Sequence, residues 1–181
     1  MCSSRSAQGF TLVELMLAAL VGSLLCGLAF QLLFAETRQG GALAESLQLN
    51  QWQRRTLKLL KDDLERASRW QIDPDPSGSW PCALADRQPK LAITHRDGSD
   101  PVVYSLGPAP SAIWRGDVLM RCGPAFDLRG GIRSGSRYLN RVVLDGVDHF
   151  QLHQPSGLPV LQMQLEQRTR LGGHVRSQGV G

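Results

Sequence analysis

Apolar and polar positions divide the chain into three unlike stretches. From Phe10 to Ala35 the sequence FTLVELMLAALVGSLLCGLAFQLLFA runs for 26 residues with Glu14 as its only charged side chain. Beyond Glu14, the 21 residues Leu15–Ala35 make about 31 Å of helix at ~1.5 Å per residue. That matches the hydrocarbon thickness of a bilayer. A buried core helix of this length would show a polar side, whereas only Ser23 and Gln31 interrupt the run. A membrane-spanning helix over residues 10–35 is expected.

The second stretch, Ala42–Trp70, reads as a continuing helix. Leu57, Leu60, Leu64 and Ala67 step by 3, 4 and 3 along one face, and Leu43 and Leu47 add an earlier apolar piece. Arg54, Arg55, Lys58, Lys61, Asp62, Asp63, Glu65 and Arg66 read as the solvated side. From Ile72 the period changes. DPDPSGSWP is turn chemistry, since its prolines cannot sit inside one helix. Candidate strands follow at Leu91–His95, Val102–Leu106, Val118–Cys122, Arg141–Leu144, Phe150–Gln154 and Val160–Glu166, punctuated by glycines. In the last of them Leu161, Met163 and Leu165 alternate with polar residues, so one face is expected buried and the other wet. Asp127–Ser136 reads as a Gly- and Arg-rich loop, and residues 172–181 as a flexible tail. The pattern implies an α+β protein: a long N-terminal helix, membrane-spanning in its first half, packed on a strand-rich antiparallel head.

Composition changes this picture little. The chain has 181 residues, enough for one domain and an appendage, with a net charge of +4 and a mean hydropathy of −0.17. Four cysteines are too few for a disulfide-stapled miniprotein. Chemistry-bearing patterns do not hold together. Asp73, Asp75 and Ser77 imitate the start of a calcium loop, but its twelfth position is Leu84 and prolines intervene. His149 and His153 would share the wet face of a strand with Gln151, without a third ligand. No G-x-S-x-G elbow and no P-loop occurs. Arg129, Arg133, Arg137 and Arg141 recur every four residues. A solvated loop is the preferred reading, and contact with DNA or an anionic polysaccharide the competing one. No enzyme activity, cofactor or metal is expected.

The fate of the apolar run decides the class of protein. A secretory signal would be cut after it at small residues, but the run ends QLLFAETRQGG. A lipoprotein signal needs a small residue before its Cys, and Cys26 follows Leu24 and Leu25. The remaining option is cleavage before the run. Residues 8–15, Q-G-F-T-L-V-E-L, closely resemble the class III signal of type IV prepilins and type II secretion pseudopilins. The resemblance implies that Met1–Gly9 is a leader removed by a prepilin peptidase, which cuts after Gly9 and methylates the new N-terminal Phe10. It also implies an assembly role for Glu14. A carboxylate in a spanning helix costs about 2.5–3.5 kcal/mol on insertion scales and usually has a partner. Phe10 and Glu14 stand at i and i+4, so a freed α-amine and the carboxylate share one helix face, and family knowledge favours pairing between neighbouring subunits. A Glu resting at the headgroup boundary is the plainer alternative. Two rows of small residues, Ala18-Gly22-Cys26 and Ala19-Ser23-Gly27, suit close helix packing. Arg5 precedes the run and no acid occurs in Met1–Gly9. Charge mildly favours a cytoplasmic N-terminus, and the prepilin resemblance implies it, with a single pass through the inner membrane and a periplasmic head.

The C-terminal block RVVLDGVDHFQLHQPSGLPVLQMQLEQ and the spine QRRTLKLLKDDLERA resemble J-type pseudopilins and PilW-type minor pilins. PSG stands where the J-type tryptophan-rich turn would be, so secretion and pilus branches both stay open. The resemblance implies a leader (1–9), a transmembrane helix (10–35), a spine (36–70), a β-rich head (71–171) and a tail (172–181). It implies a non-enzymatic minor pilin or pseudopilin at or near the tip of a type IV pilus-like or type II secretion filament, helping to start assembly. Its partners would be the prepilin peptidase, other minor pilins, a major pilin and the inner-membrane assembly platform. A DNA-uptake pseudopilus subunit and a membrane-tethered periplasmic binding domain are the alternatives. With Cys2 lost in the leader, Cys26 in the membrane and the head in an oxidising compartment, a Cys82–Cys122 disulfide is expected. Two free buried thiols are the competing reading.

Overall fold

The computed structural model describes residues 11–125, 137–170 and 172–181. Cys2, Gly9, Phe10, Arg129, Arg133 and the loop expected at Asp127–Ser136 lie outside the described residues. Chain contacts define two units, Met1–Ala44 and Glu45–Gly181. One helix, α1 (Leu12–Glu65), supplies the first unit and the start of the second. It is helical through Gly40 and Gly41.

Helix α1 stops at Glu65 rather than near Trp70. The chain turns into β1 (Ala67–Ile72), which pairs antiparallel with β2 (Gln88–His95), matching Ile72 with Leu91 and Trp70 with Ile93. The apolar step to Ala67 looked helical, but sheet pairing overrides that local pattern, and Ser68 Oγ donates to the carbonyl of Thr94 at 3.0 Å. Strands β3 (Val102–Pro108), β4 (Asp117–Gly123) and β5 (Leu139–Leu144) complete a five-stranded antiparallel sheet in the order β1-β2-β3-β4-β5. A second sheet has the order β6-β7-β8, from β6 (Val147–His153), β7 (Gln162–Arg168) and β8 (His174–Val180). The fold is thus α+β, with a long N-terminal helix and antiparallel sheets.

Strand β8 corrects the expected flexible tail. It pairs with β7 along its length, from Arg168 with His174 to Gln162 with Val180. The buried Gln53 of α1 donates Nε2–H to the Val175 carbonyl at 2.8 Å and accepts from Ser177 Oγ at 2.6 Å. The order of this polar segment comes from the neighbouring strand and from a helix residue distant in sequence.

The core joins α1 to both sheets. Leu57, Leu60 and Leu64 pack with Leu91, Ile93, Tyr104, Leu119 and Leu144 of the large sheet, with Phe150, Met163 and Leu165 of the small one, and with Leu161 just before β7. Leu43 and Leu47 are exposed rather than part of this face, and Leu49, Gln53 and Thr56 are buried in their place. The opposite face of the large sheet is covered too. Ala92, Val103 and Cys122 pack with Trp80, Cys82, Leu84 and Tyr138. There Cys82 and Cys122 form a disulfide with a Cα–Cα distance of 5.9 Å. It holds the turn-rich segment before β2 onto β4.

Candidate assembly site

The start of α1 is built by a reciprocal cap. Thr11 Oγ1 accepts from the Glu14 backbone N–H at 3.3 Å, while the Glu14 carboxylate accepts from Thr11 N–H at 3.4 Å and from its hydroxyl at 3.3 Å. This is the Thr-x-x-Glu capping box, which satisfies helix-end donors that lack an intrahelical acceptor. Its sequence signal, Thr11 three residues before Glu14, was available but overshadowed by the cleavage motif. These contacts are long for charge-assisted bonds, and Glu14 is exposed. Its carboxylate is therefore accessible to a second partner.

Behind the cap the helix is apolar all round. Leu12–Leu32 is long and apolar enough to cross a membrane, with a mean hydropathy of 2.2. Its described large side chains, from Leu12 to Leu32 and at Phe34, are 51–73% exposed within the chain. Each forgoes roughly 1.5–3 kcal/mol relative to burial, which suits lipid or other helices as neighbours rather than water. Ser23 Oγ donates to the Leu20 carbonyl at 2.9 Å, so the one hydroxyl behind the cap is satisfied without leaving the helix. A Cβ at Gly22 or Gly27 would meet no atom within 4 Å, leaving both small-residue rows open to an approaching helix.

In the second unit a buried charged cluster is closed. Asp63, read from sequence as solvated, is 1% exposed. Arg121 of β4 grips it with Nε at 2.7 Å and Nη2 at 2.9 Å, and the buried Tyr104 hydroxyl donates to the same carboxylate at 2.7 Å. Nη1 of Arg121 donates to the Pro124 carbonyl at 3.3 Å. Gly123 leaves the necessary room, because a Cβ there would lie 2.6 Å from Arg121 Nη1. Burial, and then the Asp63 charge, push the Tyr104 hydroxyl well above its usual pKa. Burial pulls the Arg121 guanidinium down, but its bonds to Asp63 outweigh that and the net shift is upward. Nothing here is open to a substrate; the cluster ties the spine to β3 and β4. The sequence signal was a carboxylate three residues after Leu60, on the apolar face.

The other singled-out residues stay apart. His149 and His153 lie exposed on β6. Asp73 pairs with Lys90 at 3.2 Å. Asp75 caps its own turn, accepting from the Ser77 backbone N–H at 2.9 Å and from its hydroxyl at 2.8 Å. These bonds, the backbone one first, hold the Asp75 carboxyl below its usual range. Among the described residues no three His, Cys, Asp or Glu side chains gather as a metal site.

Comparison with curated proteins and with solved structures returns no match. Residues 4–30 match the prokaryotic N-terminal methylation motif, a span that contains Gly9, Phe10, the capping pair and most of the apolar helix. The chain thus carries an N-terminal methylation motif followed directly by a helix long and apolar enough to cross a membrane.

Proposed function

We propose that the chain is a minor pilin or pseudopilin: a non-enzymatic subunit at or near the tip of a type IV pilus-like or type II secretion filament, where it helps to start assembly. The observation that carries this reading is the Q-G-F-T-L-V-E-L motif heading an exposed apolar helix. Cleavage after Gly9 frees the amine of Phe10, which is largely cationic at neutral pH and is then methylated. Glu14 offers that charge a partner one helical turn away, or on the neighbouring subunit. An amine and a carboxylate that each cost energy in lipid cost less when paired. Partners are the prepilin peptidase, other minor pilins, a major pilin and the inner-membrane platform. The N-terminus faces the cytoplasm and the head the periplasm.

Co-expression with a prepilin peptidase tests this. Intact-mass spectrometry should find the chain shortened by Met1–Gly9 and one methyl heavier at Phe10, and replacement of Gly9 by a bulky residue should block cutting. A mature N-terminus at Cys26, or beyond Ala35, overturns the reading.

A further inference from the structure

A surface groove runs between α1 and edge strand β5. Trp52 and Val143 line two adjoining cavities, of about 170 and 270 Å3. Arg55 borders the first; Ile113, Trp114 and Val142 wall the second. The Thr56 hydroxyl donates to the Val143 carbonyl at 3.2 Å and fastens the helix to the strand there. The tryptophans are distributed tellingly. Trp70 and Trp80 pack against the two cores, whereas Trp52 and Trp114 stand part-exposed in the groove. Ile113, on the β3–β4 connection, is 80% exposed. Part-exposed tryptophans around an apolar hollow are the composition of an interaction hot spot.

The rim shows what fits. Arg55 and Lys58 are exposed on α1, and Arg141 is exposed on β5. Arg141 stands opposite Arg121 in the strand register, which places it on the helix side of the sheet. Among the described residues none of these three cations forms an ion pair, whereas Asp145, the carboxylate that lines the second cavity, is taken up by Arg115. Arg115, at the far end, is already held by Asp145 at 3.6 Å and Glu45 at 3.7 Å. A second copy docked symmetrically would set these cations against themselves.

We propose that the groove docks a segment of a different filament subunit, apolar at its centre and flanked by Asp or Glu. The proposal rests on the filament reading above. Apolar side chains would fill the hollows beside Trp52 and Trp114, and the flanking carboxylates would meet Arg55 and Arg141.

The test uses the full chain in membranes, co-expressed with the prepilin peptidase and the other pilin-like subunits of its system. A photo-crosslinking residue replaces Ile113; a control replaces Leu158, exposed on the β6–β7 turn. The Ile113 probe should couple to another pilin-like subunit, with peptide mapping locating the link in an apolar segment flanked by carboxylates. The double reversal Arg55→Glu with Arg141→Glu, both at exposed positions, should cut that yield about fivefold or more and leave the Leu158 yield unchanged. Cleaved protein present in sheared filaments, with an Ile113 yield no greater than that of Leu158, overturns the groove and leaves the filament reading standing. Coupling to a second copy overturns the proposed occupant. Uncleaved protein absent from filaments overturns both.

Discussion

Asp63 sits three residues after Leu60 and one before Leu64, so its side chain falls on the apolar face of α1. A buried carboxylate is tolerated because Arg121 and Tyr104 satisfy it. Asp63→Ala leaves the Arg121 guanidinium buried without its partner, and urea unfolding of the full chain in detergent should show a loss of about 3–5 kcal/mol. Tyr104 adds a pH dependence. Its hydroxyl is held well above the usual tyrosine value of 10.0, so the folded state retains a proton that the unfolded chain gives up. The stability this contributes is whole below about pH 10 and is lost as pH rises beyond it. Tyr104→Phe should therefore flatten the fall in urea midpoint above about pH 10. Some slope will remain, because burial also raises Tyr138.

At the scale of elements, local pattern and long-range partners divide the fold between them. Strands β2 to β5 contain the segments that alternation and glycine punctuation mark out, and β6 and β7 overlap theirs, without Gln154, Val160 and Leu161, since side-chain period and turn chemistry are local properties. Strand β1 was hidden by an apolar step shared with α1, and β8 by its polar composition; β1 is fixed by pairing to β2, and β8 by pairing to β7 and by Gln53 of α1. The capping pair and Asp63 were visible as spacings, but the groove beside Trp52 was not, because its walls come from α1, the β3–β4 connection and β5. The disulfide belongs to this scale as well. It closes a loop whose ends are 40 residues apart, for which chain-entropy reasoning gives roughly 3–4 kcal/mol. Thiol labelling of unreduced, denatured protein should leave Cys82 and Cys122 unmodified, and reduction should lower the melting temperature of the head. Quantitative labelling of both would contradict the bridge.

For the whole molecule, the question is whether Glu14 serves its own helix or its neighbours. The two roles separate by substitution. Glu14→Gln keeps a capping-box residue at that position and removes only the charge; Glu14→Ala removes both. Both variants should still insert, because loss of a charge eases insertion. If pairing with a Phe10 amine drives assembly, both should be absent from sheared filaments. If the residue acts only as a cap, Glu14→Gln should enter filaments like the parent, while Glu14→Ala alone falls short.

The hydrogen bonds along α1 also have a mechanical consequence. Thr56 holds the edge of the large sheet through Val143, Gln53 holds the edge of the small one through Val175 and Ser177, and Asp63 reaches across to β4. These anchors lie within three turns of one helix. A pull along that helix is shared between both sheets at once, in shear, rather than concentrated on the short link from Glu65 to β1. Tension from the membrane end would have to break a buried ion pair and several hydrogen bonds together before the head could peel from its spine.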